Sequence, residues 1–298
     1  MRILAAGQLV EDIDNYNRIH EMMNVLVAGE SRDNQASEAF GKNWDTNSRI
    51  YEVGQGITAG QALTVLFKPL SGLLNQSKML PIRYAPITIE LELADSNTEA
   101  IIPINTAQGA STWLTAAVSD EWQIENVQVK VDVCTLDHAL DNSYAQHLLS
   151  GKSLPISYNT FVSQLQSTTM TDKNLINVSR ALTRLKSVFV TLHKAEAATT
   201  VTRKFWNNLH SPMVTDQVTA LGHNSEGEFE FQLQIGSKLF PEYPIRSHNE
   251  AYYQLCKSLG VQASALHNFD ITAREYRSTK FILGTDCEKV LDAGFTGL

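Results

Sequence analysis

The chain has 298 residues, 43% of them hydrophobic and 19% charged, with a formal net charge of −8. That balance describes a folded chain of one large or two ordinary domains and excludes extended disorder. The acidic charge shows no Lys/Arg stripe, which argues against direct nucleic-acid binding, and Cys134, Cys256 and Cys287 are too scattered for a disulfide framework or a zinc site.

They read instead as reduced thiols of an intracellular protein. No apolar run reaches the length of a membrane span, and the apolar start meets Glu11 and Asp12 too early for a signal peptide.

Taken in order, residues 2–11 read as a strand that starts at once. Asp12 or Asp14 then caps a helix on which Ile13, Tyr16, Ile19, Met23 and Leu26 recur at helical spacing, with Gly29 at the left-handed stop position. Residues 30–60 are a polar surface excursion anchored by Phe40, Trp44, Ile50 and Tyr51. Residues 63–70 (LTVLFKPL) form the next strand, and SGLLNQSKM makes a short helical turn.

Residues 80–93 (LPIRYAPITIELEL) carry the clearest pattern. Ile87, Ile89, Leu91 and Leu93 point one way and Thr88, Glu90 and Glu92 the other, the mark of a half-buried antiparallel strand. On this reading Leu91→Asp unfolds the chain, whereas Glu92 lies on an outer face. Residues 100–104 and 112–118 are shorter strands.

Residues 122–133 form a long strand whose parity switches, since Trp122 and Ile124 are even and Val127, Val129, Val131 and Val133 odd. A bulge or kink near Glu125–Asn126 reconciles the halves. A helix over 139–150 follows, with Leu140, Tyr144 and Leu148 on one face and Gly151 as its stop. Residues 154–165, 174–179 and 184–192 return to strand, and Phe205 and Trp206 mark a short helix or an aromatic anchor.

Residues 227–236 make a hairpin-type strand, and Pro241 and Pro244 around Tyr243 a rigid, extended surface arm. Ser247 and Glu250 form a capping box for a helix through Tyr252, Leu255, Cys256 and Leu259, closed by Gly260. Residues 279–284 are the last strand. The sum is about a dozen strands with a few inserted helices, a mainly β chain with a domain boundary near 119–121.

The chemical motifs are thin. Gly151-Lys152-Ser153 has the tail of a phosphate-binding loop, but the upstream glycine is Gln146 and the order of helix and strand is reversed. Asp137, His138, Asp141 and His147 are the densest His/carboxylate group; on a helix 138 and 141 share a face, but 147, nine residues beyond 138, returns to it only roughly, and a surface helix with Asp near its N-terminus accounts for the same residues. His248 and Glu250 match half of a zinc deaminase signature whose PCxxC half is missing. His20, His193, His210, His223 and His267 are scattered. Trp122, Phe205, Trp206, Tyr243, Tyr252 and Tyr253 suit cores and subunit interfaces better than a stacking platform. No catalytic, cofactor-binding or metal residue is assigned, and the chain is not read as an enzyme.

Lys78, Leu80, Pro81, Tyr84, Ile87 and Ile89 resemble a run near the end of the first barrel in the double jelly-roll major capsid proteins of large eukaryotic DNA viruses. A wider set resembles the polinton-like virus and virophage side of that lineage. It comprises GQLVEDIDNYNRIHEM (7–22), VLFKPLSGLLNQSKMLP (65–81), WQIENVQVKVDVCTLD (122–137), INVSRALTRLKSVFVTL (176–192) and KLFPEYPIRSHNEAYYQL (238–255).

The resemblance implies two adjacent jelly-roll barrels, residues 1–120 and 121–298, in a structural capsid protein. Its partners would be two further copies in a pseudo-hexagonal trimer, neighbouring capsomers, and minor or penton capsid proteins. It implies no direct nucleic-acid contact, no membrane insertion and no cofactor. The place of work is the virion capsid, after synthesis in the host cytoplasm or nucleus. Members of that family are longer, so the expectation is a fragment lacking the start of the first barrel and the end of the second. The alternative is a carbohydrate-binding or carbohydrate-processing β-sandwich, with aromatics and paired carboxylates on one concave face. A cupin-like metalloenzyme is a third reading, which needs histidines on adjacent strands.

Overall fold

The computed structural model describes residues 1–27, 38–39, 42–43, 53–54, 60–93, 121–168, 173–182, 184–193, 209, 211–212, 229–260, 271–277 and 280–288. These residues are organised mostly as strands in small antiparallel sheets, with few helices. No closed barrel is formed among them. They belong to two compact units, each built from two stretches of chain: Met1–Asp14 with Pro69–Ser163, and Asn15–Lys68 with Gln164–Leu298.

The first unit is built on β1 (Arg2–Ala5), the centre of a three-stranded antiparallel sheet between β2 (Gln8–Asp12) and β5 (Ile87–Glu90). The expected single strand over 2–11 is therefore a hairpin. Ala6 and Gly7 both take positive φ, 49° and 78°, the geometry whose twist matches that of paired strands. Ile3 pairs with Glu11 on one side and Ile89 on the other, and its side chain is fully buried.

On β5 the alternation holds, with Ile87 and Ile89 half-buried and Thr88 and Glu90 exposed. It stops there. Leu91 is 53% exposed, contrary to the inward position expected of it, because the β1 partner runs only from Arg2 to Ala5. The SGLL turn forms helix α2 (Gly72–Asn75). A Cβ on Gly72 would overlap the backbone carbonyl of Asn159, so only glycine permits this approach. Helix α3 (His138–Leu149) is capped by the Asp137 carboxylate and ends with Gly151 at φ 74°, as the sequence implies.

The second unit carries the larger apolar core. Helix α1 (Tyr16–Val25) supplies Met22 and Val25, and the expected Met23 and Leu26 pack, partly buried, against the same core. Helix α4 (His248–Ser258) supplies Ala251, Leu255 and Cys256. They pack with Ile245, Ile271, Tyr276, Phe281, Ile282 and Leu283. Burying a side chain such as Leu255 contributes about 1.5–3 kcal/mol.

Strand β9 (Leu283–Asp286) lies under α4 and pairs with β6 (Ser187–Val190). Strands β7 (Phe231–Ile235) and β8 (Lys238–Ile245) form the expected hairpin, turning at Gly236. The proline-flanked arm lies within β8, where the register of the pairing shifts and the Gln232 side chain donates to the Pro241 and Glu242 carbonyls, with Tyr243 exposed on it. A short pair joins β3 (Lys42–Asn43) to β4 (Val53–Gly54). Helix α5 (Ala273–Tyr276) opens on a complete capping box, Thr272 with Glu275.

Four expected strands are absent as strands. Residues 63–70, 122–133, 154–165 and 174–179 run without turn or bend and enter no ladder among the described residues. The expected kink is present, since Asn126 has φ 53°. The strands at 100–104 and 112–118, and Phe40, Trp44, Ile50, Tyr51, Phe205 and Trp206, lie outside the described residues.

Candidate functional site

In the first unit the most concentrated polar chemistry surrounds Glu11, which is 2% exposed. Strand β2 turns this carboxylate inward, and four donors converge on it. Gly72 N lies 2.9 Å from Oε1 and Thr160 Oγ1 2.7 Å from the same oxygen; the Ser71 hydroxyl donates to Oε2, with Leu73 N at 3.5 Å. Ser71 also accepts from Leu74 N, and so caps α2. The Tyr158 hydroxyl donates to Val10 O at 2.6 Å. Burial, helped by the Glu11 charge, pushes that phenol above its ordinary value. Every oxygen of Glu11 is occupied from within the chain. The cluster therefore clamps β2 to α2 and the 158–160 segment.

In the second unit His248, the first residue of α4, is boxed by the rings of Phe229 and Phe281, with centroids 5.8 and 5.5 Å away. Its Nε2 lies 2.7 Å from Ser211 Oγ, and both residues are buried. Burial, then the Arg277 charge, hold the imidazole below its ordinary value of 6.5. A Ser–His pair is the start of a nucleophilic device; here both members are buried and the imidazole is flanked by two phenyl rings. Beside it the buried Lys280 ammonium lies 2.9 Å from Glu275 Oε1. Burial pushes Glu275 up, and the bonds from Lys280 and Thr272 outweigh it, leaving the carboxyl below its usual value. Burial likewise raises Tyr276, whose hydroxyl donates to Ile282 O at 2.9 Å, and raises the Cys256 thiol.

The motifs singled out in the sequence are taken up by local structure. Asp137 caps α3 through Leu140 N at 2.8 Å, Asp141 pairs with Arg83 and accepts from the Tyr84 hydroxyl, and His147 Nε2 lies 3.3 Å from Ser153 O. Lys152 follows a helix end, as expected, and faces solvent. Glu250 accepts from Arg246 N at 2.7 Å instead of closing the box on Ser247 N, while Ser247 caps Glu250 N at 3.2 Å. His20 packs against Tyr16 and Phe67, and burial lowers it. Tyr252 packs edge-on against Tyr276. His210, His223 and His267 lie outside the described residues. No group of three or more His, Cys, Asp or Glu side chains among the described residues could hold a metal ion.

The feature that stands out is apolar surface on stretches that join no ladder among the described residues. Val127, Val129, Val131 and Val133 are 74, 69, 69 and 65% exposed, on a stretch with no turn or bend, and no ladder among the described residues, between the Asn126 kink and the Asp137 cap. Leu63, Val65, Leu66 and Phe67 are exposed on a second such stretch, and Leu175, Ile176, Val178 and Leu182 on a third. Each is legible as a strand from its sequence; that none joins a ladder among the described residues is not. Strands of this kind are templates for pairing with another chain. No protein-family model, no curated protein and no solved structure matches the chain. Its surface chemistry must be read from its own residues. No helix among the described residues is long and apolar enough to cross a membrane.

Proposed function

We propose that the chain is a structural capsid protein of the double jelly-roll class, whose work is assembly. In this reading residues 1–120 and 121–298 contribute the two barrels. Three copies form a pseudo-hexagonal capsomer, and capsomers meet one another and the minor or penton proteins in the virion shell. The chain performs no reaction of its own, takes no cofactor and does not insert into membrane. One observation carries the proposal: strand-like segments with alternating apolar residues lie exposed and outside any ladder among the described residues, Val127 to Val133 above all. A monomer that functions alone has no use for such surface, whereas a subunit completed by its neighbours does. The mainly antiparallel β organisation and the resemblance of residues 78–89 to the capsid family support the same reading.

Light scattering on the purified chain over a hundredfold range of concentration tests it. A trimer is expected. A chain that stays monomeric throughout would overturn the proposal.

A further inference from the structure

Residues 127–135 are exposed on both faces, with valine at every odd position from 127 to 133 and Gln128, Lys130 and Asp132 between them. Side chains on a strand alternate, so this stretch presents one apolar and one polar face wherever it pairs. It is bounded by the Asn126 kink and by Asp137, which is committed to capping α3.

We propose that residues 127–135 pair antiparallel with the same residues of a second copy, about a two-fold axis through Val131. The inference rests on the assembly function proposed above and names one of its contacts. Charge selects the register. Centred on Val131, the pairing sets Lys130 opposite Asp132 and, by symmetry, Asp132 opposite Lys130, which places two opposite-charge pairs on the polar face. The other face then carries Val131 against its own copy, Val129 against Val133 in both directions, and Val127 against Thr135. Centring one residue earlier brings all four valines opposite one another but sets Lys130 against Lys130. Centring one residue later sets Asp132 against Asp132. Parallel in-register pairing stacks both like charges. Like charges directly opposed destabilise a pair of strands; of these registers the Val131 one avoids that conflict, and it is the antiparallel register that sets Lys130 opposite Asp132.

An isologous two-fold contact cannot lie within a three-fold ring, so this pairing joins one trimer to the next. A two-stranded contact is marginal alone; its strength comes from repetition across a lattice.

Cysteine cross-linking tests the register in the full chain. The exposed Cys134 is first replaced by serine, so that the background carries only the buried Cys256 and half-buried Cys287. On that background Val131→Cys sets two cysteines opposite each other at a separation a disulfide spans, whereas Lys130→Cys sets cysteine against Asp132. With copper–phenanthroline, Val131→Cys is expected to give a covalent dimer and Lys130→Cys none. Without oxidant, Lys130→Asp should lower association at least tenfold, and Lys130→Asp with Asp132→Lys should restore it.

A covalent dimer from Lys130→Cys but not from Val131→Cys overturns the register. A folded trimer in which Val131→Cys yields no covalent dimer overturns the inference while leaving the capsid reading standing. A chain that stays monomeric overturns both.

Discussion

Removing the Glu11 carboxylate is the sharpest test of how the first unit is held. Glu11→Ala strips the acceptor from four donors at once. The Ser71 and Thr160 hydroxyls can turn toward other partners, but the Gly72 N–H, 2.9 Å from Oε1, is fixed by the backbone and cannot. A hydrogen bond to a charged group contributes about 1.5–3 kcal/mol, and a stranded buried donor costs about 1–3 kcal/mol. Relief of the cost of burying the carboxylate offsets part of this. The net loss is about 3–5 kcal/mol, a large share of the ~5–15 kcal/mol that holds a typical domain.

Glu11→Gln keeps the shape and one acceptor oxygen but turns an amide N–H₂ toward donors, and should cost about 2 kcal/mol. The assay is urea unfolding followed by far-ultraviolet circular dichroism, with the shift in midpoint read at constant m. If both variants fall within about 1 kcal/mol of the wild type, the clamp does not do what its geometry says.

The remaining expectations concern both units. Gly284→Ala should destabilise the second unit by about 1–3 kcal/mol, because the new Cβ would meet Ser258 Oγ and come within 2.9 Å of the Leu255 backbone. Adding Ser258→Ala should recover only part of that in the same urea assay. His248 is held below 6.5 in the folded state, so the unfolded chain takes up the proton first as pH falls. Stability should be flat above about pH 7 and decline from roughly pH 6.5 downward until the folded-state value is passed. The decline should be shallower in His248→Gln, with His20, shifted in the same direction, present in both proteins. Leu91→Asp should change stability by less than about 0.5 kcal/mol because the side chain is already in solvent, whereas Ile3→Asp should unfold the first unit by thermal melt.

These sites also show where sequence reasoning reaches and where it stops. The helix ending at Gly151, the hairpin turning at Gly236 and the Ser247 cap are legible because their determinants lie within a few residues. The Thr272–Glu275 capping box carries the same local signal, yet opens a helix of a single turn that no apolar period announces. The Ala6-Gly7 turn is hidden by an apolar run that reads as one strand. Glu11 reads only as an acid that ends an apolar start. Its buried role depends on Ser71 and Thr160, 60 and 149 residues away, and no period encodes that. For 122–133 the pattern anticipates the kink at Asn126, but the strand it implies joins no ladder among the described residues: a period of two says which way side chains point and not who pairs with the backbone. The lack of a ladder partner among the described residues is what turns a fold signal into a candidate interface.

Amide hydrogen exchange across residues 127–135, measured at low and high protein concentration, tests most directly whether these strands are completed by neighbouring copies. Rapid exchange is expected in the dilute monomer and slow exchange once copies associate. Full protection already in the dilute monomer, or rapid exchange that persists in the assembled state, would contradict the account.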